Sequence, residues 1–503
     1  MDRKKEWVII ISIIFTTVFL QILFLTPPEL SDQLDYFFWA DKFPNLSADP
    51  HHRTLRIGLL IPISFLIKFF NYSEIAYYLI PILSSVAFSI GIYKLSRLFF
   101  NRIVSLCSSI LSISIPIFLR YAGQLLPDLP SIAMTIWSIF LLINSTKEVK
   151  GIYKNSKFHI FIGALLGWAY LVKEMVGLYF LIIALTFFLY KIPLKKIFYL
   201  VSGFLGILSL EFIFAYHTYQ DAFIRFSFAS PRGTEGSVTK SIPLVLTSFF
   251  RLLNNYSSDG YAFLLFLFLI GSTIFAIKKN NSFMFLNLWF LLSYFELTIL
   301  GIFPIILRWE GFTILRLHIF RYWFFMIPPF IIGGTAILSK IIHLIVNNIG
   351  IRKNRLQMAN GLILFTFTLS SIFIGVKSIW NLPDYIRTDG NHYQEFRKFL
   401  KNNGGEFEKI WLTFDDFRAS ERVIPIFTNS FFGTPIWEGD FERLNYDNEL
   451  VELSDIGTGL VIVDNQFMNM FFKGEYLPSI KLPENWKVVF ISTNKTLYAY
   501  RVL

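Results

Sequence analysis

The chain has 503 residues, of which 54% are hydrophobic and only 16% charged; a soluble protein of this length carries about a quarter charged residues, so a soluble globular fold is excluded. The net charge of +11 is uneven, because residues 381–503 hold 18 acids against 13 bases (net −5) while the remainder is net +16. The bases stand in short clusters between apolar spans, a pattern of membrane orientation rather than of nucleic-acid binding, and the single cysteine, Cys107, excludes an internal disulfide and a Cys-based zinc site.

In chain order, Met1-Asp2-Arg3-Lys4-Lys5 precedes about twenty apolar residues. With no small-x-small cleavage site before Pro27-Pro28, this segment reads as an uncleaved first helix rather than a signal peptide. Eleven spans follow from the apolar runs: 7–26, 74–99, 103–120, 129–146, 157–172, 175–190, 195–215, 259–277, 283–303, 319–342 and 359–379. Residues 157–190 as one helix would run about 51 Å against roughly 30 Å of hydrocarbon. A break is therefore expected at Lys173-Glu174, since a charge at mid-bilayer costs at least ~2.5–3.5 kcal/mol. Asn71-Tyr72-Ser73-Glu74 supplies another break and an N-cap, which leaves 57–70 too short to cross and suited to lie in the interface.

Alternate connections are basic: Arg3/Lys4/Lys5, Lys94/Arg97/Arg102, Lys147/Lys150/Lys154/Lys157, Lys191/Lys195/Lys196, Lys278/Lys279 and Arg352/Lys353/Arg355. The positive-inside rule places these in the cytoplasm. Loops 27–73, 121–128, 216–258 and 304–318 and the tail 381–503 then lie outside, with the chain in the plasma membrane and its N-terminus cytoplasmic. The division expected is a membrane domain over 1–380, with outer loops 27–73 and 216–258, and an extracytoplasmic α/β domain over 381–503. In that tail, 391–403 reads as an amphipathic helix, and β-rich runs occur at 409–413, 460–464, 488–492 and 497–500.

The outer side collects the candidate chemistry. Loop 27–56 holds Glu29, Asp32, Asp35, Asp41, Asp49, His51, His52, Arg53 and Arg56, most of which a solvated loop explains. Asp32 and Asp35 differ because they sit beside the first span end, among Leu34, Tyr36, Phe37 and Trp39, one helical turn apart on one face. Scarce water there favours a carboxylate acting as a base. Asp128 lies between Pro127 and Pro130 at the start of the fourth span, where capping alone would also account for it. Arg120, Lys173, Arg308, Arg316 and Arg321 are cations near outer span ends. Snorkelling explains such residues singly, but an excess on the side that the charge bias disfavours suits an anionic ligand such as a lipid phosphate. Loop 216–258, with His217, Asp221, Arg225, Arg232 and Lys240, is long enough to close as a lid. His51-His52 and nearby acids are candidate ligands for a divalent ion, although adjacent histidines project in different directions.

Three segments resemble the C-type glycosyltransferases, in particular the protein O-mannosyltransferase and aminoarabinose transferase superfamily. Asp32-Gln33-Leu34-Asp35-Tyr36 is similar to its acidic Asp-(Glu)-x-x-Tyr motif and is followed by the His-Pro-Pro-Leu-like His51-His52-Arg53-Thr54-Leu55. Pro127-Asp128 opens a later helix and precedes the Lys173 turn. Arg321-Tyr322-Trp323-Phe324-Phe325-Met326-Ile327-Pro328-Pro329 resembles the family's Arg-Tyr…Pro lead into a late span. The likeness covers about 1–380. It implies transfer of a sugar from a polyprenyl-phosphate donor to a lipid, glycan or protein hydroxyl outside the cytoplasm, with inversion. It makes Asp32 the general base and gives Asp128 a place at the acceptor or a metal. Lys173 and Arg321 would hold the lipid phosphate, and Asp35, Tyr36, Arg53, Arg56, Arg316 and Tyr322 would contact substrate. Gln33 stands where the family usually has a second acid, and His52-Arg53 where it has paired prolines. Two other readings share the membrane setting. A flippase or transporter of lipid-linked sugars would need polar residues at mid-membrane, for which Glu211 and Glu296 are the candidates; an O-antigen ligase or polymerase would place its basic and His residues in a large late loop.

Overall fold

A computed structural model describes residues 3–25, 28, 32–46, 53–147, 155–225, 259–306, 324–348, 353–380, 391–412, 428–443, 457–464, 485–493, 495 and 497–502. Every expected span carries helix: α1 (Arg3–Leu23), α4 (Glu74–Phe99), α5 (Arg102–Ser114) with α6 (Pro116–Tyr121), α7 (Asp128–Lys147), α8 (Phe158–Val172), α9 (Tyr179–Leu189), α10 (Leu194–Tyr219), α11 (Asp259–Ile277), α12 (Asn281–Ile306), α13 (Ile327–Asn348) and α14 (Lys353–Trp380). Two further helices, α2 (Asp32–Lys42) and α3 (Ile57–Phe70), lie in the first connection. Among the described residues, six helices are long and apolar enough to cross a bilayer by themselves: Lys4–Leu23, Glu74–Phe99, Asp128–Thr146, Leu194–Tyr219, Phe324–Asn348 and Met358–Lys377.

The breaks have local causes. The span expected at 103–120 is two helices because Pro116 has no N–H to continue the ladder, and Ile115 before it is extended (φ −64°, ψ 133°). Helix α8 stops at Val172, Lys173 is extended (φ −153°, ψ 122°), and a 3₁₀ turn over Glu174–Leu178 leads into α9. Asn71 takes φ +57° between α3 and α4, and Ser73 Oγ accepts the Ala76 N–H at 3.4 Å to cap α4.

The chain forms two compact units: residues 1–25, 46–59 and 81–381, and residues 26–45, 60–80 and 382–503. The first is a helical bundle whose outer surface keeps large apolar side chains uncovered, Phe188 at 80% and Leu194 at 81% exposure among them, as lipid contact allows and water would not. Helices α8 and α10 touch backbone to backbone: a Cβ on Gly163 would lie 1.8 Å from the Leu200 carbonyl oxygen, and one on Gly203 would lie 2.0 Å from that of Ile160. Only glycine permits this approach. At one end of the α7–α8 pair Ser145 meets His159 at 3.1 Å and receives Lys196 Nζ on its carbonyl at 3.4 Å. At the other end Asp128 meets Lys173. The basic connections of α1, α4 and α5 also share an end, where Glu6 binds Lys94 at 3.1 Å and Arg102 at 3.9 Å.

The second unit contains α2 and the C-terminal residues. Helix α15 (Asn391–Asn403) places Tyr393, Phe396 and Leu400 against Ile410, Leu460, Ile462, Leu497 and Ala499 of a five-stranded sheet. The strands β1 (Lys409–Leu412), β2 (Asp440–Arg443), β3 (Gly459–Asp464), β4 (Trp486–Ile491) and β5 (Leu497–Val502) are ordered β2-β1-β3-β5-β4. Strand β1 is parallel to β2 and β3, whereas β5 is antiparallel to β3 and β4. The period-2 pattern of β3 splits it between faces, with Val461 packing beside Trp486 and Val502 on the side away from α15.

Candidate active site

In the first unit the Lys173–Glu174 turn gathers charge. Because α8 ends at Val172, the extended Lys173 can turn its side chain to the start of α7, and its Nζ donates to Asp128 Oδ1. Both side chains are 2% exposed. Ser131 supports that helix start, with its N–H on the Pro127 carbonyl at 3.2 Å and its hydroxyl on the Asp128 carbonyl at 2.8 Å. Glu174 faces two guanidinium groups, Arg56 at 2.7 Å and Arg225 at 3.8 Å. Arg225 also donates to Glu211 and to the Leu55 carbonyl, and stands 5.5 Å from the centre of the Tyr170 ring. Tyr219 reaches Thr54 at 2.9 Å, so the end of α10 and the approach to α3 are tied together. The Arg56 guanidinium, and after it Arg225, hold the Glu174 carboxyl well below the ordinary range. The result is two charged groups joined by the Lys173-Glu174 peptide: Lys173 with Asp128, and Arg56 and Arg225 with Glu174 and Glu211.

In the second unit Asp32 and Asp35 occupy the first turn of α2, where the helix dipole favours carboxylates. Asp32 is half-buried, whereas Asp35 is 1% exposed and Tyr36 fully buried. Gln33, between the acids, accepts from Tyr77 Oη at 3.5 Å, and Phe37 lies 4.4 Å from the Tyr72 ring and 5.6 Å from the Tyr77 ring. These contacts fix the rotation of α2.

Of the residues expected to act, the structure pairs Asp128 with Lys173, sets Arg56 on Glu174 at the next position, and places Asp32, Asp35 and Tyr36 on one short helix. Arg53 sits in the turn before α3, its carbonyl accepting the Arg56 N–H at 3.3 Å. Arg308, Arg316, Arg321, Tyr322, His51, His52 and most of loop 216–258 lie outside the described residues. Among the described residues no three of His, Cys, Asp or Glu come together as a metal site. The sequence reading missed the joint role of Glu174, Glu211 and Arg225. Its available signal was Glu211, a lone acid within the apolar α10 that required a partner, with Arg225 in the connection that follows.

Residues 57–216 match the family model of the dolichyl-phosphate-mannose-protein mannosyltransferases. No curated protein sequence matches the chain significantly. Among solved structures, ArnT from Cupriavidus metallidurans in the apo state aligns with a TM-score of 0.59 at 9% identity, over 100% of this chain and 99% of that one. ArnT from the same organism bound to undecaprenyl phosphate aligns at 0.56 and 10% identity, over 99% and 98%. The Archaeoglobus fulgidus oligosaccharyltransferase in complex with Zn and sulfate aligns at 0.50 and 12% identity, over 85% of this chain and 62% of that one. At such identities the shared property is the fold: the chain is a polytopic α-helical membrane protein with an ArnT-like fold, and its residues 57–216 resemble the protein mannosyltransferases.

Proposed function

We propose that the protein is an inverting membrane glycosyltransferase that moves a sugar from a polyprenyl-phosphate donor to a hydroxyl of a lipid, glycan or protein. The observation that carries this reading is the turn at Lys173-Glu174, which pairs Lys173 with the buried Asp128 and Glu174 with Arg56 and Arg225, on a fold shared with ArnT, a structure of which holds undecaprenyl phosphate. A planar guanidinium presents paired N–H groups that suit phosphate oxygens; in this reading Arg56 and Arg225, held in place by Glu174 and Glu211, contribute positive charge to the lipid phosphate. In the proposed step Asp32 accepts the proton of the acceptor hydroxyl while that oxygen attacks the anomeric carbon. The bond from that carbon to the phosphate oxygen breaks with its electron pair retained on the lipid phosphate. Lys173, Arg56, Arg225 and Arg321 stabilise the developing charge, so the leaving group departs without an acid. Asp128 holds the Lys173 ammonium in place and contributes to the acceptor side.

The site belongs to the extracytoplasmic side in this reading, with the N-terminus cytoplasmic and residues 381–503 outside the plasma membrane. The six basic connections support that orientation. The flippase alternative loses one of its two mid-membrane acids, because Glu211 is tied to Arg225 in the charged cluster rather than left to line a path. Asp32→Asn tests the assignment: donor binding is expected to persist while transfer falls by ~10²–10⁴. Near-normal turnover in that variant would remove Asp32 from the mechanism.

A further inference from the structure

The C-terminal residues are built against the segment that orients α2. Arg397 on α15 binds Glu74 at 2.9 Å, with the two side chains 16% and 6% exposed. Asn429 Nδ2 donates to the Tyr72 carbonyl at 3.0 Å. The Phe431 carbonyl accepts the Ile75 N–H at 3.2 Å, and its ring stacks on Tyr78 at 6.4 Å. Gly433, at φ +85°, brings its backbone so close that a Cβ there would lie 2.8 Å from the Phe70 carbonyl oxygen. All five contacts land on residues 70–78, the end of α3, the turn after it and the first helical turn of α4.

The same short segment holds α2 from its other side. Tyr72 packs on Phe37, and Tyr77 packs on Phe37 and donates to Gln33, the neighbour of Asp32. The space among Phe37, Tyr72, Glu74, Tyr77, Arg397 and Asn429 is a cavity of about 10 Å³, room for one water at most. This junction is packed rather than shaped for a ligand. Its polar bonds are the kind that fix geometry: an ion pair largely removed from water, a side-chain amide on a backbone carbonyl and a backbone N–H on another.

We infer that α15 and residues 429–433 form a positioning element for Asp32, acting through the first turn of α4, with Arg397 as a positioning residue and Asn429 its second anchor. This rests on the assignment of Asp32 as the base. The connection runs from Arg397 to Glu74, through Tyr72 and Tyr77, to Gln33 and Phe37 of α2. Displacing a catalytic group by about 1 Å costs on the order of 10² in rate, so loosening this junction should slow the chemical step without removing any group that binds donor.

The test compares Asp32→Asn, Arg397→Met, Arg397→Lys and Asn429→Ala in the full-length protein, measuring kcat and KM with a polyprenyl-phosphate sugar. The expected result is an inactive Asp32→Asn, a kcat about tenfold or more lower in Arg397→Met with KM for donor changed less than about threefold, and recovery of most of the loss in Arg397→Lys. Asn429→Ala, which deletes a single hydrogen bond, should show a smaller fall in kcat of the same character, and it carries the test if Arg397→Met fails to fold. Wild-type kcat in both Arg397→Met and Asn429→Ala, with Asp32→Asn inactive, would overturn the positioning role and leave the proposed chemistry standing. A raised KM for acceptor at unchanged kcat would overturn it in favour of acceptor selection. Full activity in Asp32→Asn would defeat the assignment of the base itself, and the positioning role with it.

Discussion

At residue scale the two charged groups make opposite demands on their members. Lys173 and Asp128 are each 2% exposed, so removing one strands the other in a dry setting. Breaking a buried pair from one side costs about 3–5 kcal/mol, while removing both costs far less. Lys173→Met should therefore lower thermal stability in detergent markedly, and Lys173→Met with Asp128→Leu should recover part of that loss; additive losses would show that the two are not coupled. Glu174 supplies a pH dependence. Its carboxyl is held below its ordinary value of 4.5 by Arg56 and Arg225, so the unfolded chain binds more protons there than the folded one. Its contribution is complete above the ordinary carboxylate range and is lost as pH falls below about 4.5. Acid unfolding monitored by tryptophan fluorescence should show a shallower low-pH limb in Glu174→Gln, and identical limbs would contradict the coupling. The individual candidates were legible from the sequence because charged residues at span ends are conspicuous. Their pairing was not: that Asp128 meets Lys173, 45 positions away, depends on α8 stopping at Val172, and the Arg225–Glu211 contact depends on where α10 delivers the chain.

At the scale of elements, hydropathy was a good guide to where helices occur and a poor one to where they stop. The break at Lys173 followed from the cost of a buried charge and the break at Asn71 from chain length, whereas the interruption at Ile115–Pro116 is signalled by a proline that the hydropathy of 103–120 does not register. Strand β2, Asp440-Phe441-Glu442-Arg443, escaped notice because three of its four residues are charged; as an edge strand it needs only one partner. The contact between α8 and α10 carries a further prediction. Gly163→Val must push the Leu200 backbone away, since even a Cβ falls within 1.8 Å of its carbonyl oxygen. Overpacking of this kind costs about 1–3 kcal/mol or more, and because α10 carries Glu211, it should also weaken the Arg225 cluster. The measurement is the thermal midpoint of the purified protein together with donor affinity. A variant unchanged in both would show that the close approach is dispensable.

For the whole molecule, composition was sufficient to exclude a soluble fold, and the short β-rich runs were sufficient to mark the tail as carrying a small sheet. The grouping of that tail with residues 26–45 and 60–80 lay beyond the sequence, because it rests on contacts such as Arg397–Glu74 whose partners are more than 300 positions apart. The chemistry proposed requires the base and the cations around the Lys173-Glu174 turn to be reached from one aqueous compartment, opposite the basic connections. Cysteine labelling tests this most directly. In a Cys107→Ser background, Asp32→Cys, Glu174→Cys and Lys278→Cys are exposed in turn to a membrane-impermeant maleimide in intact cells. Labelling at positions 32 and 174 without permeabilisation, and at 278 only after it, is the predicted result; labelling of 32 and 174 from opposite sides would contradict a shared site and with it the glycosyl transfer proposed.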